Sequence, residues 1–220
     1  MTVLYGDVSR TRANRCSWML NELGFSYENK PLSFSPRDEK PEEFLAINPN
    51  GKCPTLEDDG FVLFESLAIN LYLAKKYGGM LGPQSPEEDA LVTQWALWVA
   101  TEVEKPLLLA TAIKRLFEPK LPADEELEIA LGKLSRPWKV LDQHLRHQPY
   151  ILGSRFTVAD LNVASVMHLI PIAGIDISTW PSMKRWLDEC LARPAAIDGR
   201  SVDFHVPRPP SGRDIVAMFV

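Results

Sequence analysis

Residues 48–77, NPNGKCPTLEDDGFVLFESLAINLYLAKKY, decide how this chain folds. Asn48-Pro49-Asn50-Gly51 carries two turn dipeptides in succession. Cys53 to Glu57 is short and extended, with Pro54 at its start, because proline cannot donate to a strand ladder. That placement leaves the main chain of Cys53 facing outward, and a cis Cys53–Pro54 bond would sharpen the turn further. Asp58-Asp59-Gly60 supplies the residues of a tight hairpin, since Gly tolerates positive φ and Asp accepts the left-handed region. Phe61-Val62-Leu63-Phe64 reads as a compact apolar strand. From Ser66, the residues Leu67, Ile69, Leu71, Tyr72, Leu73, Ala74 and Tyr77 fall mainly at helical spacing.

At the junction of that strand and helix stands Glu65-Ser66. A carboxylate, a hydroxyl and the unpaired N–H groups of a helix start converge there, which suits a ligand bearing both an ammonium and a carboxylate. The competing reading makes Ser66 a plain N-cap and Glu65 a solvated charge. The run Asn48-Pro49-x-Gly51-Lys52-x-Pro54-x-Leu56, followed by Glu65-Ser66-x-Ala68-Ile69, resembles the glutathione-binding half of the cytosolic glutathione transferases. Within them the chain is most similar to the bacterial-type, serine- or theta-like grouping. The resemblance implies an α/β thioredoxin-like N-terminal domain with a cis-proline, followed by an all-α C-terminal helical domain. It extends over nearly the whole chain and weakens in the tail.

The remaining sequence divides accordingly. Thr2 to Tyr5 reads as a strand and Phe25 to Leu32 as a second, parallel to it if a helix crosses between them. That helix ends near Leu23, with Gly24 as its C′ residue and Ala13, Cys16, Met19, Leu20 and Leu23 on its apolar face. A brief helical turn is expected over Glu42–Ile47. The boundaries are set at 1–79 for the thioredoxin-like domain, 80–85 for a linker rich in helix-stopping residues, and 86–220 for the helical domain with its irregular tail. Ser85-Pro86-Glu87-Glu88 opens a helix that Pro106 should kink. A second long helix spans roughly 124–147. Thr157 and Asp160 form a capping box, with Phe156 and Leu161 as its hydrophobic staple, at the head of a helix apolar nearly all round. Thr179-Trp180-Pro181 opens the next. The tail from Ala195, with Pro207, Pro209 and Pro210, is expected to wrap the surface or to be partly disordered.

Composition limits the function. A net charge of −5 and a pI near 5.5 argue against binding nucleic acid or an anionic membrane. Cys16, Cys53 and Cys190 have no CxxC pairing, and His144, His147, His168 and His205 have no partners at ligand spacing, so no metal is expected. Sparse, unpaired thiols fit a reducing, cytoplasmic setting. Residues 1–12 lack the apolar stretch of a signal peptide, and no apolar run reaches membrane-spanning length.

The resemblance implies glutathione as co-substrate and names the chemistry required. A free thiol with pKa ~8.5 is only a few per cent ionised at neutral pH. Lowering that value by ~2 units takes about 2.7 kcal/mol of preference for the thiolate. A helix N-terminus contributes ~0.3–1 kcal/mol and a hydrogen bond to a charged group ~1.5–3, so neither metal nor base is needed. The donor must lie between the first strand and first helix, where Tyr5, Ser9, Thr11, Asn14 and Cys16 stand. Tyr5 belongs to the strand, and Cys16 to the apolar face of the helix. In related transferases a Ser-Arg step precedes a Trp-x-Leu-x-Glu-Leu-Gly run, here Trp18 to Gly24. Thr11-Arg12 occupies that step, with Thr11 in place of the serine. Thr11, Ser9 and Asn14 are thus the candidate activators, and a plain N-cap role is the chief competitor for Thr11.

By the same resemblance, Cys53 beside Pro54 pairs its backbone with the tripeptide's central residue, as in strand addition. Arg12 lies alongside. Glu65 and Ser66 hold the γ-glutamyl end, and Lys40 or Lys52 the glycyl carboxylate, although each lysine is equally a solvated charge. A small hydrophobic electrophile would sit between the domains, over Thr11 and Arg12, near Trp98, Glu102, Lys105 and Leu108. The implied activity is conjugation of glutathione to that electrophile by a detoxifying homodimer. Two alternatives stay open: a glutathione-dependent disulfide or peroxide reductase, and a non-catalytic interaction module on the same fold.

Overall fold

Alternation in the first half and helical periodicity in the second produce two kinds of structure. The computed structural model describes residues 1–32, 39–116 and 123–198. Two compact units are distinguished: Met1–Pro86 with the stretch that begins at Ala192, and a second unit containing Glu87–Leu191.

The first unit is a four-stranded sheet with helices. The strands are β1 (Thr2–Tyr5), β2 (Glu28–Lys30), β3 (Thr55–Asp58) and β4 (Phe61–Phe64), in the order β2-β1-β3-β4. β1 pairs parallel with β2, across the helix α1 (Ala13–Glu22), and antiparallel with β3, which pairs antiparallel with β4. β2 is shorter than the expected 25–32, because α1 closes with a full Schellman turn that uses up the next residues. Gly24, at φ +65°, donates to Asn21 O, and Phe25 donates to Leu20 O. The β3–β4 hairpin has a two-residue loop, Asp59-Gly60, with φ +50° and +84°, the signs a type I′ turn requires. Two helices follow β2 and β4 respectively: α2 (Glu42–Ile47) and α3 (Ser66–Tyr77). Leu4, Met19, Leu20, Leu56, Ile69 and Leu73 form the dry centre of the unit.

At the far end of β3 the buried carboxylate of Asp58 gathers four donors. Thr2 Oγ1, Tyr72 OH, Tyr77 OH and Lys76 Nζ donate to it at 2.8–2.9 Å. Burial opposes its ionisation, but the bonds from Lys76, Tyr72, Tyr77 and Thr2 outweigh burial and hold the carboxyl down to about 2. Of the expected linker, residues 80–85, the first two belong to a 3₁₀ turn, Gly79–Leu81, and the whole stretch falls within the first unit. The tail is not wholly irregular where it begins. Pro194–Asp198 forms the short helix α10, and Arg193 clamps Glu22 of α1 through two bonds of 2.6 and 2.7 Å. Expectations for residues 199–220, including the three tail prolines, lie outside the described residues.

Among the described residues, the regular structure of the second unit is all helical, save for an isolated bridge between Tyr150 and Gly153. α4 (Pro86–Trp98) passes through a π-helical segment, Val99–Val103, into α5 (Glu104–Leu116). Pro106 therefore does not end the helix; the wide turn just before it takes up the residue that lacks an N–H. α6 (Ala123–His144) runs through Pro137, which the sequence reading passed over, and finishes in a 3₁₀ turn, Leu145–His147. α7 (Val158–Met167) is buried at every position and starts with the expected capping box. Asp160 Oδ2 accepts from Thr157 N at 3.0 Å, and its Oδ1 accepts from Ile151 N and Trp186 Nε1. Short α8 (Leu169–Ile172) follows, then α9 (Pro181–Leu191), whose first turn donates to Asp142 of α6.

The Asp58 cluster has a pH signature. Its carboxylate titrates below the ordinary value, so its contribution is complete above about pH 4 and disappears as the pH falls toward about 2. Asp58→Asn should cost about 2 kcal/mol at neutral pH and flatten the acid limb of a urea-denaturation stability profile.

Candidate active site

Beside Pro54 the first unit has a cleft, lined by Arg12, Asn48, Asn50, Lys52, Cys53, Pro54, Phe64, Glu65 and Ser66. One wall is built by Asn48, which is fully buried. Its amide Nδ2 donates to Lys52 O at 2.7 Å and to Thr55 Oγ1 at 2.8 Å, while its Oδ1 accepts from Asn50 N at 3.0 Å. These bonds fold residues 48–55 into a loop that enters β3 through a cis Cys53–Pro54 bond. Cys53 precedes the strand, and no hydrogen bond among the described residues engages its N–H or C=O. An unengaged donor and acceptor at a strand end invite an extended peptide.

The opposite wall is the start of α3. Its N-cap position is Glu65, not Ser66, and no side chain caps it. The N-cap reading of Ser66 therefore falls. Its side chain is 3 % exposed and its oxygen accepts from Arg15 Nη1 at 3.3 Å. Glu65 has φ +73°, a left-handed backbone that a non-glycine residue holds at a cost of ~1–3 kcal/mol. The strain turns the chain abruptly out of β4, leaves the Glu65 side chain exposed at the rim, and sets the first N–H groups of α3 beside it.

The segment between β1 and α1 approaches the Cys53 side of the cleft at Gly6, which has φ +141°. A Cβ built there would lie 2.8 Å from Ala13 Cβ and 3.2 Å from both Cys53 Cβ and Thr11 Oγ1. Gly6 thus lets three segments close on one another, and it puts the Thr11 hydroxyl next to Cys53. That hydroxyl donates to Asp7 O at 2.8 Å and accepts from Ala13 N at 3.2 Å, the pattern of a helix-start cap. Ser9 Oγ donates to Asp7 Oδ1 at 2.6 Å. Both hydroxyl protons therefore point at Asp7. Asn14 differs: its Oδ1 is buried without a partner, and no described residue binds its amide nitrogen.

Of the anticipated glutathione-binding residues, Arg12, Lys52, Cys53, Pro54, Glu65 and Ser66 line this one cleft. Lys40 is not part of the lining; its stem lies 3.6–3.7 Å from where a Gly51 Cβ would be. Asn48, Asn50 and Phe64 complete the lining and were not foreseen as site residues. For Asn48 the Asn-Pro-Asn-Gly turn signal was present, but turn residues do not reveal which amide faces inward. Burial pushes the Cys53 thiol up to about 11, so it stays protonated at neutral pH. In the second unit, Glu102 and Lys105 are exposed, and Trp98 and Leu108 are half-buried. Among the described residues, no His, Cys, Asp and Glu cluster could hold a metal. No helix there is long and apolar enough to cross a membrane.

The unengaged Cys53 main chain, the start of α3 across the cleft from it and this sheet order stand beside two family matches. The family described as glutathione S-transferase, N-terminal domain, matches residues 2–75, and glutathione S-transferase, C-terminal domain, matches residues 89–194. The chain belongs to the glutathione S-transferase family. It is 33 % identical to a probable glutathione S-transferase of Oryza sativa subsp. japonica over 88 % of this chain and 93 % of that one. Among solved structures it is similar to a theta class glutathione S-transferase from Xanthomonas axonopodis pv. citri with glutathione bound. That likeness has a TM-score of 0.82 and 26 % identity, covering 93 % of this chain and 99 % of the other. A glutathione transferase family member from Pseudomonas fluorescens, with two glutathione bound, has a TM-score of 0.77 and 30 % identity, over 90 % and 91 % of the two chains.

Gly6 is the position at which this site should fail first. Gly6→Ala combines a 2.8 Å clash with a left-handed backbone, whereas Gly60→Ala, at φ +84°, meets nothing within 4 Å. Thermal unfolding should show Gly6→Ala the more destabilised of the two.

Proposed function

We propose that this transferase-family chain binds glutathione in the cleft beside Pro54 and conjugates it to small hydrophobic electrophiles. The observation that carries the reading is the Cys53 main chain, unengaged among the described residues at the edge of a cleft whose far wall is a helix start. The central residue of the tripeptide adds to that edge as a short strand. Its γ-glutamyl ammonium meets Glu65, and its carboxylate meets the Ser66 hydroxyl and the first N–H groups of α3. Arg12, Lys52 and Lys40 serve the glycyl carboxylate, the first two from the lining itself.

The sulfur then lies toward Gly6 and Thr11. To hold a thiolate, the Thr11 hydroxyl turns its proton away from Asp7 O, or the Asn14 amide supplies the donor from the first turn of α1; Ser9 stands further back along the loop. The thiolate attacks carbon, the carbon–sulfur bond forms, and an aryl halide loses its halide. On the second unit, Trp98, Glu102, Lys105 and Leu108 line the proposed electrophile site. The family resemblance extends the proposal to a cytoplasmic, homodimeric protein acting in detoxification.

A second reading, a glutathione-dependent disulfide or peroxide reductase, draws on the Cys53 thiol in the cleft lining. The upward shift of that thiol weighs against it. Comparing turnover on an aryl halide with turnover on a glutathionylated disulfide, in wild type and in Cys53→Ser, decides between them. Conjugation undiminished in Cys53→Ser supports the first reading. Absence of glutathione binding by the folded chain would leave only the interaction module.

Removing the activating donor should cost about tenfold or more in kcat for conjugation, the worth of one hydrogen bond to a charge. Stopped-flow titration of the bound thiol in Thr11→Ala, Ser9→Ala and Asn14→Ala identifies it. The variant whose thiol pKa rises toward that of free glutathione marks the activator. Full activity and an unshifted thiol pKa in Thr11→Ala would leave Thr11 as a helix cap only.

A further inference from the structure

Arg15 does not line the cleft, yet it is only 3 % exposed. It also stands in the first turn of α1, where the helix dipole disfavours a cation. A residue that goes against both burial and local electrostatics is held there for what it does to a neighbour. Its Nη1 donates to the Ser66 hydroxyl oxygen at 3.3 Å. The adjoining residues repeat the attachment. Cys16 Sγ donates to Ser66 O at 3.6 Å, and Asn70 Nδ2 of α3 donates to Arg15 O at 3.2 Å. The first turn of α1 is thereby fastened to the first turn of α3, directly behind the wall that Ser66 presents to the cleft.

We propose that Arg15 is a positioning residue: it orients the Ser66 hydroxyl as an outward donor and makes this end of the cleft select the α-carboxylate of a γ-glutamyl group. The inference rests on the reading of the cleft as a glutathione site. A guanidinium has donors only. Ser66 Oγ must therefore accept from Arg15, which leaves its single proton for a partner on the cleft side. The partner that fits is an anion, because the same spot lies at the positive end of the α3 dipole. The guanidinium is out of water, so salt and solvent screen its charge little. All three effects act on a carboxylate, and none of them strengthens binding of a neutral amide to the same degree.

Calorimetry on the full chain tests this with two ligands: glutathione, and glutathione whose γ-glutamyl α-carboxylate is converted to the amide. Wild type should prefer glutathione. In Arg15→Met the glutathione Kd should rise about tenfold while that of the amide changes by less than about twofold. Arg15→Lys, which keeps charge but not the fork, should retain part of the preference. KM for glutathione should rise with Kd, and kcat at saturating glutathione should hold within about twofold. Ser66→Ala should lose the same preference, and adding Arg15→Lys to it should weaken glutathione no further. The lysine series alone decides the matter if Arg15→Met does not fold. Equal weakening of both ligands, or an additive double variant, would reduce Arg15 to a structural tie and overturn the inference. A wild-type chain that binds neither ligand would overturn the glutathione reading and this inference together, whereas wild-type binding with the preference intact in the Arg15 variants overturns this inference alone.

Discussion

One buried amide holds the ledge open. Asn48 satisfies its donors on Lys52 O and Thr55 Oγ1 and its acceptor on Asn50 N, all within eight residues. A buried side-chain amide with its hydrogen bonds made resists movement, because any displacement strands a polar group away from water. The loop so fixed delivers Pro54 to the strand and leaves the main chain of Cys53 with no protein partner among the described residues. Everything attributed to the cleft presupposes that loop, since a relaxed one would let Cys53 continue the β3 ladder and close the edge to a peptide.

The two units spend buried carboxylates in similar ways. Asp58 ties β1, β3 and α3 together through four donors, and Asp160 ties Ile151, the start of α7 and Trp186 of α9. They titrate in opposite directions. Lys76 brings a full positive charge to Asp58, which stays ionised down to about 2. Asp160 meets only neutral donors, and burial, the largest influence on it, raises its carboxyl above the ordinary range. Each anchors elements distant in sequence at a fixed point, and neither faces the cleft. Neither carboxylate belongs to the cleft lining, whereas Asn48 both lines the cleft and holds its loop.

The sequence revealed most where local rules dominate. Asp59-Gly60, Gly24, Pro54 and the Thr157–Asp160 box all act within a few residues of themselves, and each appears where its chemistry called for it. It revealed least where partners are remote. The second strand shrank because the Schellman turn consumed its start. Pro106 was expected to kink its helix, and a π-helical segment, Val99–Val103, precedes it there, which periodicity cannot show. For the site, Arg12, Lys52, Cys53, Pro54, Glu65 and Ser66, which the family resemblance singled out, line one cleft. The Asn48 network and the Arg15–Ser66 contact were hidden, because nothing in spacing tells which polar side chain turns inward. Thr11 and Ser9 were legible as hydroxyls near the right place, but not as hydroxyls already occupied by Asp7.

The clamp between Arg193 and Glu22 has a bearing on how the molecule comes into being. Glu22, already bonded to Trp18 Nε1 at 3.0 Å, finds its charge partner 171 residues later. During synthesis the sheet and its helices emerge first, with the carboxylate of Glu22 and the neighbouring surface of α1 bare. Only when the ribosome has released residues 193–198 can Arg193 and α10 arrive and seal them. The N-terminal half is therefore born unfinished, and a fragment cut after residue 86 would keep that exposed seam for good.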